Sequence, residues 1–251
     1  MKTNTEYKNI ALAALKGHWA PAVLLTVIFL AIYLIAVGPM SYQTVKVQTY
    51  MQENMTAASS GSLSQVIRQA QAMAMDPEVL AMQAKSRGAS GLYYLLYALI
   101  ILPLTVGVAN AFRLLVVHGD DQLPQNAYRL TTSNYWHKVW GMLLRTIFIW
   151  LWSLLFIIPG LIKVFSYALT PYILEEHPEL TANEAIDRSR AMMRGHKFDL
   201  FWLYLSFIGW FFVCIFTFGI GFIWLIPYMQ SAEVAFYEDV KADYEIHGGL
   251  I

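Results

Sequence analysis

Long apolar blocks alternate with short polar stretches along most of this 251-residue chain. The blocks are residues 19–40, 92–117, 139–158, 159–174, 200–216 and 218–236. A helix needs about 20 apolar residues to cross the hydrocarbon core of a bilayer. The pattern therefore predicts six hydrophobic helical segments. The pair 139–158 and 159–174 either spans fully or forms a re-entrant hairpin, because 159–174 is short.

Two polar stretches that precede apolar blocks have nearly the same sequence. Residues 13–24 read AALKGHWAPAVL and residues 191–202 read AMMRGHKFDLFW, which aligns Gly17 with Gly195. A Thr-x-x-Glu pattern at 3–6 and again at 181–184 predicts a capping box, which starts a helix. We therefore expect two elbow helices, within 3–17 and 181–195, that lie flat at the membrane interface and end at a glycine.

A weaker third copy covers residues 123–138, where His137–Lys138 aligns with His196–Lys197 but no glycine is present. The segments that close two hairpins are also similar, since GLIKVFSY at 160–167 resembles GFIWLIPY at 221–228. We predict an all-α polytopic membrane protein of three repeated units, each an elbow helix followed by a hairpin. The units are elbow 3–17 with segments 19–40 and 92–117, elbow 123–138 with segments 139–158 and 159–174, and elbow 181–195 with segments 200–216 and 218–236. Repeats of this kind occur in transporters and in other membrane proteins, so the repeat indicates architecture rather than transport.

Composition agrees with a membrane protein. The chain is 57% hydrophobic and 14% charged, and its mean hydropathy is +0.47, whereas a soluble domain has about 25% charged residues. The net charge of zero provides no overall field that would attract nucleic acid. The single cysteine, Cys214, excludes an intrachain disulfide and a cysteine-based metal cluster. We expect no cofactor and no metal.

Lysine and arginine are concentrated on one side of the predicted segments. Of 17 such residues, most lie near the elbows and the C-terminal end, and few lie in 41–91. The positive-inside rule then places both termini and all elbows in the cytoplasm, for a multi-pass protein of the cytoplasmic (inner) membrane. Residues 238–251 are predicted to be a cytoplasmic tail, and 41–91 an extracytoplasmic helical insertion.

The stretch from Trp152 to Phe211, followed by GIGFIWLIPYM at 219–229, resembles the bacterial integral-membrane family catalogued as domain of unknown function 975. The similarity runs from about residue 92 to residue 237 and includes LKGHW at 15–19, while 41–91 stays outside it. The resemblance implies a bacterial multi-pass membrane protein. It implies no activity, cofactor or catalytic residue.

Polar residues in or beside the apolar blocks are candidates for an intramembrane site, because charges there are costly and often functional. These candidates are Arg113, Arg145, Lys163, Tyr167, Tyr228 and Glu233. Arg145 either lines a polar cavity, with Glu233 as its partner, or extends toward the cytoplasmic interface. Arg113 and Lys163 have the same two interpretations. The candidate interface anchors are Lys16, His18, Arg194, His196 and Lys197.

The chain carries no established catalytic motif, such as His-Glu-x-x-His, Gly-x-Ser-x-Gly or a phosphate-binding Gly-x-x-x-x-Gly-Lys. We therefore predict no catalytic residues and favour a non-enzymatic scaffold or accessory factor for envelope components. Its expected partners are membrane lipids and another envelope protein, and not nucleic acid. Two alternatives remain: a small transporter or channel with a polar cavity near Arg145, and a membrane enzyme that acts on lipid.

Overall fold

The computed structural model describes residues 1–58, 67–68, 71–72 and 74–247, and the part it describes is helical without any strand. The helices are α1 (Asn4–Leu15), α2 (Trp19–Ala58), α3 (Pro77–Leu96), α4 (Leu102–His118), α5 (Leu123–Thr132), α6 (Tyr135–Leu155), α7 (Ile157–Ser166), α8 (Thr170–Glu176), α9 (Ala182–Met192), α10 (Lys197–Leu205), α11 (Ile208–Phe216) and α12 (Phe222–His247). Part of the predicted insertion, 59–66, and the last residues of the predicted tail, 248–251, lie outside the described residues.

Five helical stretches in the described part of the chain are long and apolar enough to cross a membrane, which confirms the all-α polytopic class. They are Trp19–Ala36, Pro77–His118, Tyr135–Leu155, Ile157–Glu176 and Lys197–Phe216. Most of the sixth predicted segment, 218–236, belongs to α12, which begins at Phe222. Helix α12 is not among the five. Its first 18 residues, about the length that crosses a membrane, contain three acidic residues: Glu233, Glu238 and Asp239.

The chain forms two compact units. Met1–Phe29 and Ile100–Ile251 make up the first, and Leu30–Leu99 make up the second. In the second unit, α3 begins at Pro77, and the Asp76 side chain caps it by accepting a hydrogen bond from the Glu78 amide at 2.7 Å. The Tyr93 ring contacts both Tyr94 and Tyr97, with centroids 5.2 and 5.9 Å apart. The rest of the fold described below belongs to the first unit.

Both predicted capping boxes are present. The Thr3 hydroxyl accepts from the Glu6 amide at 3.3 Å, and the Glu6 carboxylate accepts from the Thr3 amide at 2.6 Å. Thr181 and Glu184 repeat this pattern at 3.4 and 2.7 Å. The hydrogen bonds from the threonine amide and hydroxyl lower the pKa of both Glu6 and Glu184. These boxes satisfy amides at the helix start and fix where α1 and α9 begin.

The two elbows also end alike. Gly17 follows α1 with a φ of +88°, and Gly195 follows α9 with a φ of +92°, in the left-handed region where a side chain is strained. In both cases the next helix starts two residues later, at Trp19 and at Lys197. Buried positions coincide at an offset of 178 residues: Ala11 and Ser189, Leu15 and Met193, Ala22 and Leu200, and Leu25 and Leu203.

The middle elbow, predicted as 123–138, is shorter than expected. Helix α5 ends at Thr132, and Asn134 then takes a left-handed conformation with a φ of 45°. Asparagine tolerates this conformation better than most residues, so it replaces the missing glycine. His137 and Lys138 are therefore the third and fourth residues of α6, whereas His196 precedes α10 and Lys197 is its first residue.

The second hairpin turns earlier than predicted. Helix α6 ends at Leu155, and the extended Phe156, rather than the boundary at 158–159, separates it from α7. Helix α7 rises about 15 Å over its 10 residues, which is half the hydrocarbon thickness. Pro171 lies in the first turn of α8. Backbone N–H groups there have no acceptor within the helix, so the missing N–H of proline breaks no helical hydrogen bond.

The third hairpin also differs from its predicted bounds. The predicted segment 200–216 is divided into α10 and α11, which are separated by Ser206 and Phe207. A tight turn that contains the left-handed Phe218 and Gly219 leads into α12. The predicted tail is not separate, because α12 continues through Pro227 and residue 238 to His247.

Each elbow helix packs on a hairpin that comes from a different predicted unit. Helix α5 packs on α4, α9 packs on α6 and α8, and α1 packs on α12. These contacts link the three predicted units in a closed cycle, which we call the ring of elbow helices, because the first elbow packs on the third hairpin, the third elbow on the second hairpin and the second elbow on the first. Helix α4 also contacts both α8 and α12. The closest approach is at Gly107 on α4, where an added Cβ would lie 2.0 Å from Thr131 Oγ1 of α5.

Candidate functional site

Helices α4, α8 and α12 meet in a cluster of charges. The Arg113 guanidinium forms ion pairs with Glu176 and Glu238. Glu176 also accepts hydrogen bonds from the Tyr237 hydroxyl and, at 2.7 Å, from the Lys241 ammonium. Arg113 is 16% exposed, so its charge is largely removed from solvent and balanced within the chain. We call these five residues the central ion cluster.

A second ion pair joins α6 to α8. Lys138 is only 1% exposed, and its ammonium contacts the Glu175 carboxylate. The same ammonium donates to the Leu130 carbonyl, and to the Ser133 hydroxyl at 2.8 Å, so it also holds the turn that follows α5. Neither Lys138 nor Glu175 was among the site residues predicted from the sequence.

Arg145, Tyr167 and Glu233, all selected from the sequence, are brought together beside α10. Arg145 Nε donates to the Tyr167 carbonyl at 2.8 Å, and the Arg145 charge attracts the Glu233 carboxylate. Glu233 Oε2 accepts from the Tyr204 hydroxyl at 2.7 Å. Tyr204 is a partner that the sequence did not indicate, because it is one of 15 tyrosines in the chain. We call Arg145, Glu233, Tyr204 and Tyr172 the inner polar group.

Tyr172 links the inner polar group to the central ion cluster. Its ring stacks on Tyr237 with centroids 4.5 Å apart, and it interacts electrostatically with Glu233 and Tyr204. Apart from Glu175 Oε2, which pairs with Lys138, three buried polar atoms on α4 and α8 have no hydrogen-bond partner among the described residues: Asn110 Oδ1, Thr170 Oγ1 and Tyr172 OH. An unpartnered buried polar atom lowers the stability of the folded state by about 1–3 kcal/mol. These three atoms could therefore each form a further hydrogen bond.

Lys163 and Tyr167 line a separate cavity of about 390 Å³, together with Phe148, Trp152, Asn183 and Arg190 among others. The Lys163 ammonium lies 4.4 Å from the centroid of the Trp152 ring and 5.6 Å from that of Tyr167. The Arg145 side chain does not line this cavity. Tyr228, another candidate, instead packs edge-on against Phe207, with centroids 5.0 Å apart.

The predicted interface anchors fall into two groups. His18 lies 3.5 Å from an Asp121 oxygen, and His196 lies 3.3 Å from Asp243 and 3.4 Å from Asp199. These imidazoles therefore connect the elbows to neighbouring parts of the chain. The cationic anchors point outward: Lys16 and Arg194 are exposed, and Lys197 is half-exposed.

A family model described as "Protein of unknown function (DUF975)" matches residues 1–244. The match includes 41–91, which the similarity found in the sequence had left out. No curated protein and no solved structure matches the chain.

Proposed function

The chain belongs to this family of unknown function, and from that premise we propose that it is a non-enzymatic scaffold or accessory factor of the bacterial cytoplasmic membrane. The observation that supports the proposal best is the ring of elbow helices, each of which is fixed on the hairpin of another predicted unit. Such a ring presents three short helices at one end of a helical bundle. Its outward cations are suited to contact a second envelope component.

We also propose that the ring reflects an internal repeat of three units. The matching capping boxes, left-handed glycines and buried positions of α1 and α9 support this for the first and third units. The left-handed Asn134 supports it for the second unit. An internal repeat explains why each of the three elbow helices packs on the hairpin of another predicted unit.

The proposed orientation places all elbows and both termini in the cytoplasm, and 41–91 outside it. The exposed cations Lys16 and Arg194, which follow the ends of their elbow helices, support this because cations favour the cytoplasmic interface.

The way in which the chain uses its internal charges favours a scaffold over a transporter. Arg113 and Lys138 are each bound by carboxylates from neighbouring helices. Breaking a buried ion pair by removing one partner is strongly destabilising, so these charges hold the helices in place. They are therefore less suited to bind and release a substrate.

The scaffold proposal is tested by purification of the tagged protein from its own membranes in mild detergent, with quantification of every protein that accompanies it. We expect one partner in a fixed ratio, and we expect Arg194→Glu to reduce that ratio severalfold. Arg194 is exposed and forms no ion pair within the described residues, so the folded state tolerates this change.

The matched control is Lys85→Glu, which makes the same charge reversal at an exposed position in the predicted insertion. It is expected to leave the partner ratio unchanged. A homogeneous protein that carries only lipid would contradict the scaffold proposal.

The inner polar group favours a second candidate, a small transporter or channel. Arg145 and Glu233 are half-buried and the unpartnered Tyr172 hydroxyl is fully buried within an apolar bundle, where ionisable residues often mark an ion path. This candidate predicts proton or ion flux in liposomes that contain the purified protein. Flux should be abolished by Glu233→Gln and retained in Arg188→Gln; equal flux in protein-free liposomes would contradict it.

A further inference from the structure

The cavity between α9 and the hairpin of α6 and α7 has the size of a ligand-binding site. Its volume of about 390 Å³ lies in the range of roughly 300–1,000 Å³ that is typical of small-molecule sites. We call it the elbow cavity. It does not include the residues of the central ion cluster or of the inner polar group.

The charge in the elbow cavity is positive. Lys163 is repelled by Arg190 and Lys197, and Asp187 is the carboxylate that attracts it. Asp187 itself pairs with Arg190, Oδ1 to Nη2, at 3.0 Å. The cavity lining thus carries two cations, Lys163 and Arg190, and one carboxylate, Asp187. In the described residues no carboxylate oxygen lies within 4.0 Å of the Lys163 ammonium, so Lys163 itself has no close counterion.

The walls of the cavity hold these donors in place for an anion. The rings of Trp152 and Tyr167 fix the Lys163 ammonium through cation–π contacts. Arg190 offers a planar guanidinium and Asn183 a neutral amide, both lining the same cavity. Arginine and lysine together are the donors that proteins use for phosphate oxygens.

The hairpin that forms one side of the cavity, and the start of α10, also expose apolar side chains. On α6 and α7, and in the turn between them, Leu155, Phe156 and Ile162 are 64%, 70% and 46% exposed. Phe198, at the start of α10, is 74% exposed. A ligand that carries an anionic head and apolar chains would match both the cavity and this surface.

We propose that the elbow cavity binds the phosphate of an anionic phospholipid headgroup. Lys163 and Arg190 contact the phosphate oxygens, and the acyl chains follow the apolar surface of α6 and α7. The proposal rests on the proposed position of α9 at the membrane interface. It does not depend on the existence of a protein partner.

The test measures lipid binding to the purified, delipidated full chain by native mass spectrometry. The probes are phosphatidylglycerol and phosphatidylcholine with identical acyl chains. We expect the wild-type chain to bind phosphatidylglycerol in preference to phosphatidylcholine. Lys163→Gln and Arg190→Gln should each weaken phosphatidylglycerol binding by about tenfold, because each removes one charge-assisted contact.

Arg188→Gln is the matched control, since it removes the same charge from the same helix. Arg188 lies over the Tyr244 ring at 6.0 Å and does not line the cavity. Lys163→Arg should keep most of the binding. If Lys163→Gln fails to fold, the exposed Arg190 provides the test.

Equal affinity for the two lipids would overturn the proposal, as would an equal loss in Arg188→Gln. Inorganic phosphate is then added as a competitor of the lipid. If millimolar phosphate alone displaces the lipid completely, the site belongs to a soluble phosphate compound and the lipid assignment fails. The absence of a protein partner, which would contradict the scaffold proposal, leaves these results unaffected.

Discussion

Gly17 and Gly195 adopt the same left-handed backbone conformation although they lie 178 residues apart (195 minus 17), with φ angles of +88° and +92°. Each follows a helix that starts at a Thr-x-x-Glu capping box, and each precedes a helix that starts two residues later. An added Cβ would meet no atom within 4 Å at either glycine. Backbone conformation rather than packing space therefore accounts for glycine at both positions.

Gly195→Ala should destabilise the folded chain by about 1–2 kcal/mol, which is the cost of a left-handed conformation for a residue with a Cβ. Thermal unfolding in mild detergent measures the change. Gly209→Ala is the control, because Gly209 also has open space around it but does not have a positive φ. Equal stability of the two variants would show that the turn carries no strain.

Gly107→Ala should separate α5 from α4. The new Cβ would lie 2.0 Å from Thr131 Oγ1 and 2.5 Å from the Ala127 carbonyl oxygen, so the two helices must move apart. Overpacking of this kind costs about 1–3 kcal/mol. Adding Thr131→Ala should restore only part of the stability, because the contact with the backbone oxygen remains. Full recovery in the double variant would contradict this account.

Arg113→Gln should be the most damaging of the single charge removals. It leaves the partly buried Glu176 and Glu238 without their shared cation, and such losses cost about 3–5 kcal/mol. The unfolding temperature should fall markedly, and a second change, Glu238→Gln, should recover part of the loss by removing one carboxylate. Arg188→Gln provides the comparison, and a similar small effect of both variants would refute a structural role for Arg113.

Acid should weaken the contact between α1 and α12. Burial raises the pKa of Asp239, but hydrogen bonds from Lys2 and Tyr7 outweigh this effect and lower the pKa to about 2. The folded-state pKa thus lies below the ordinary value of 3.8. The stability from this group is complete above that ordinary value and is lost as the pH falls toward about 2.

Asp239→Asn should remove this part of the acid dependence. Unfolding measurements from about pH 6 down to about pH 2 detect the change. Glu245→Gln, at an exposed carboxylate of the same helix, should leave the wild-type profile intact. An Asp239→Asn profile parallel to that of the wild type across this range would contradict the prediction.

Features that depend on local signals were predictable from the sequence. The capping boxes at Thr3 and Thr181 and the turns at Gly17 and Gly195 need only neighbouring residues, and the structure confirms them. The turn at Asn134 was missed because asparagine adopts the left-handed conformation less often than glycine, so its sequence signal is weaker.

Features that depend on the arrangement of helices were predictable only in part. Hydropathy indicated the charges at Arg113 and Arg145, but not their partners. Glu176 and Glu238 lie 63 and 125 residues after Arg113 (176 minus 113 and 238 minus 113), so no local spacing connects them. The attraction between Arg145 and Glu233 was predicted, whereas the hydrogen bond between Glu233 and Tyr204 was not.

The central claim is that the three elbows share the cytoplasmic face of the membrane, and cysteine labelling tests it most directly. In a Cys214→Ser background, single cysteines replace the exposed Lys16, Arg129 and Arg194, one in or beside each elbow, and Arg87 in the predicted insertion. Intact cells are treated with a maleimide that does not cross the membrane, before and after the membrane is opened. The account predicts that Arg87→Cys is labelled in intact cells and that the three elbow positions are labelled only after opening. Labelling of any one elbow in intact cells would contradict it.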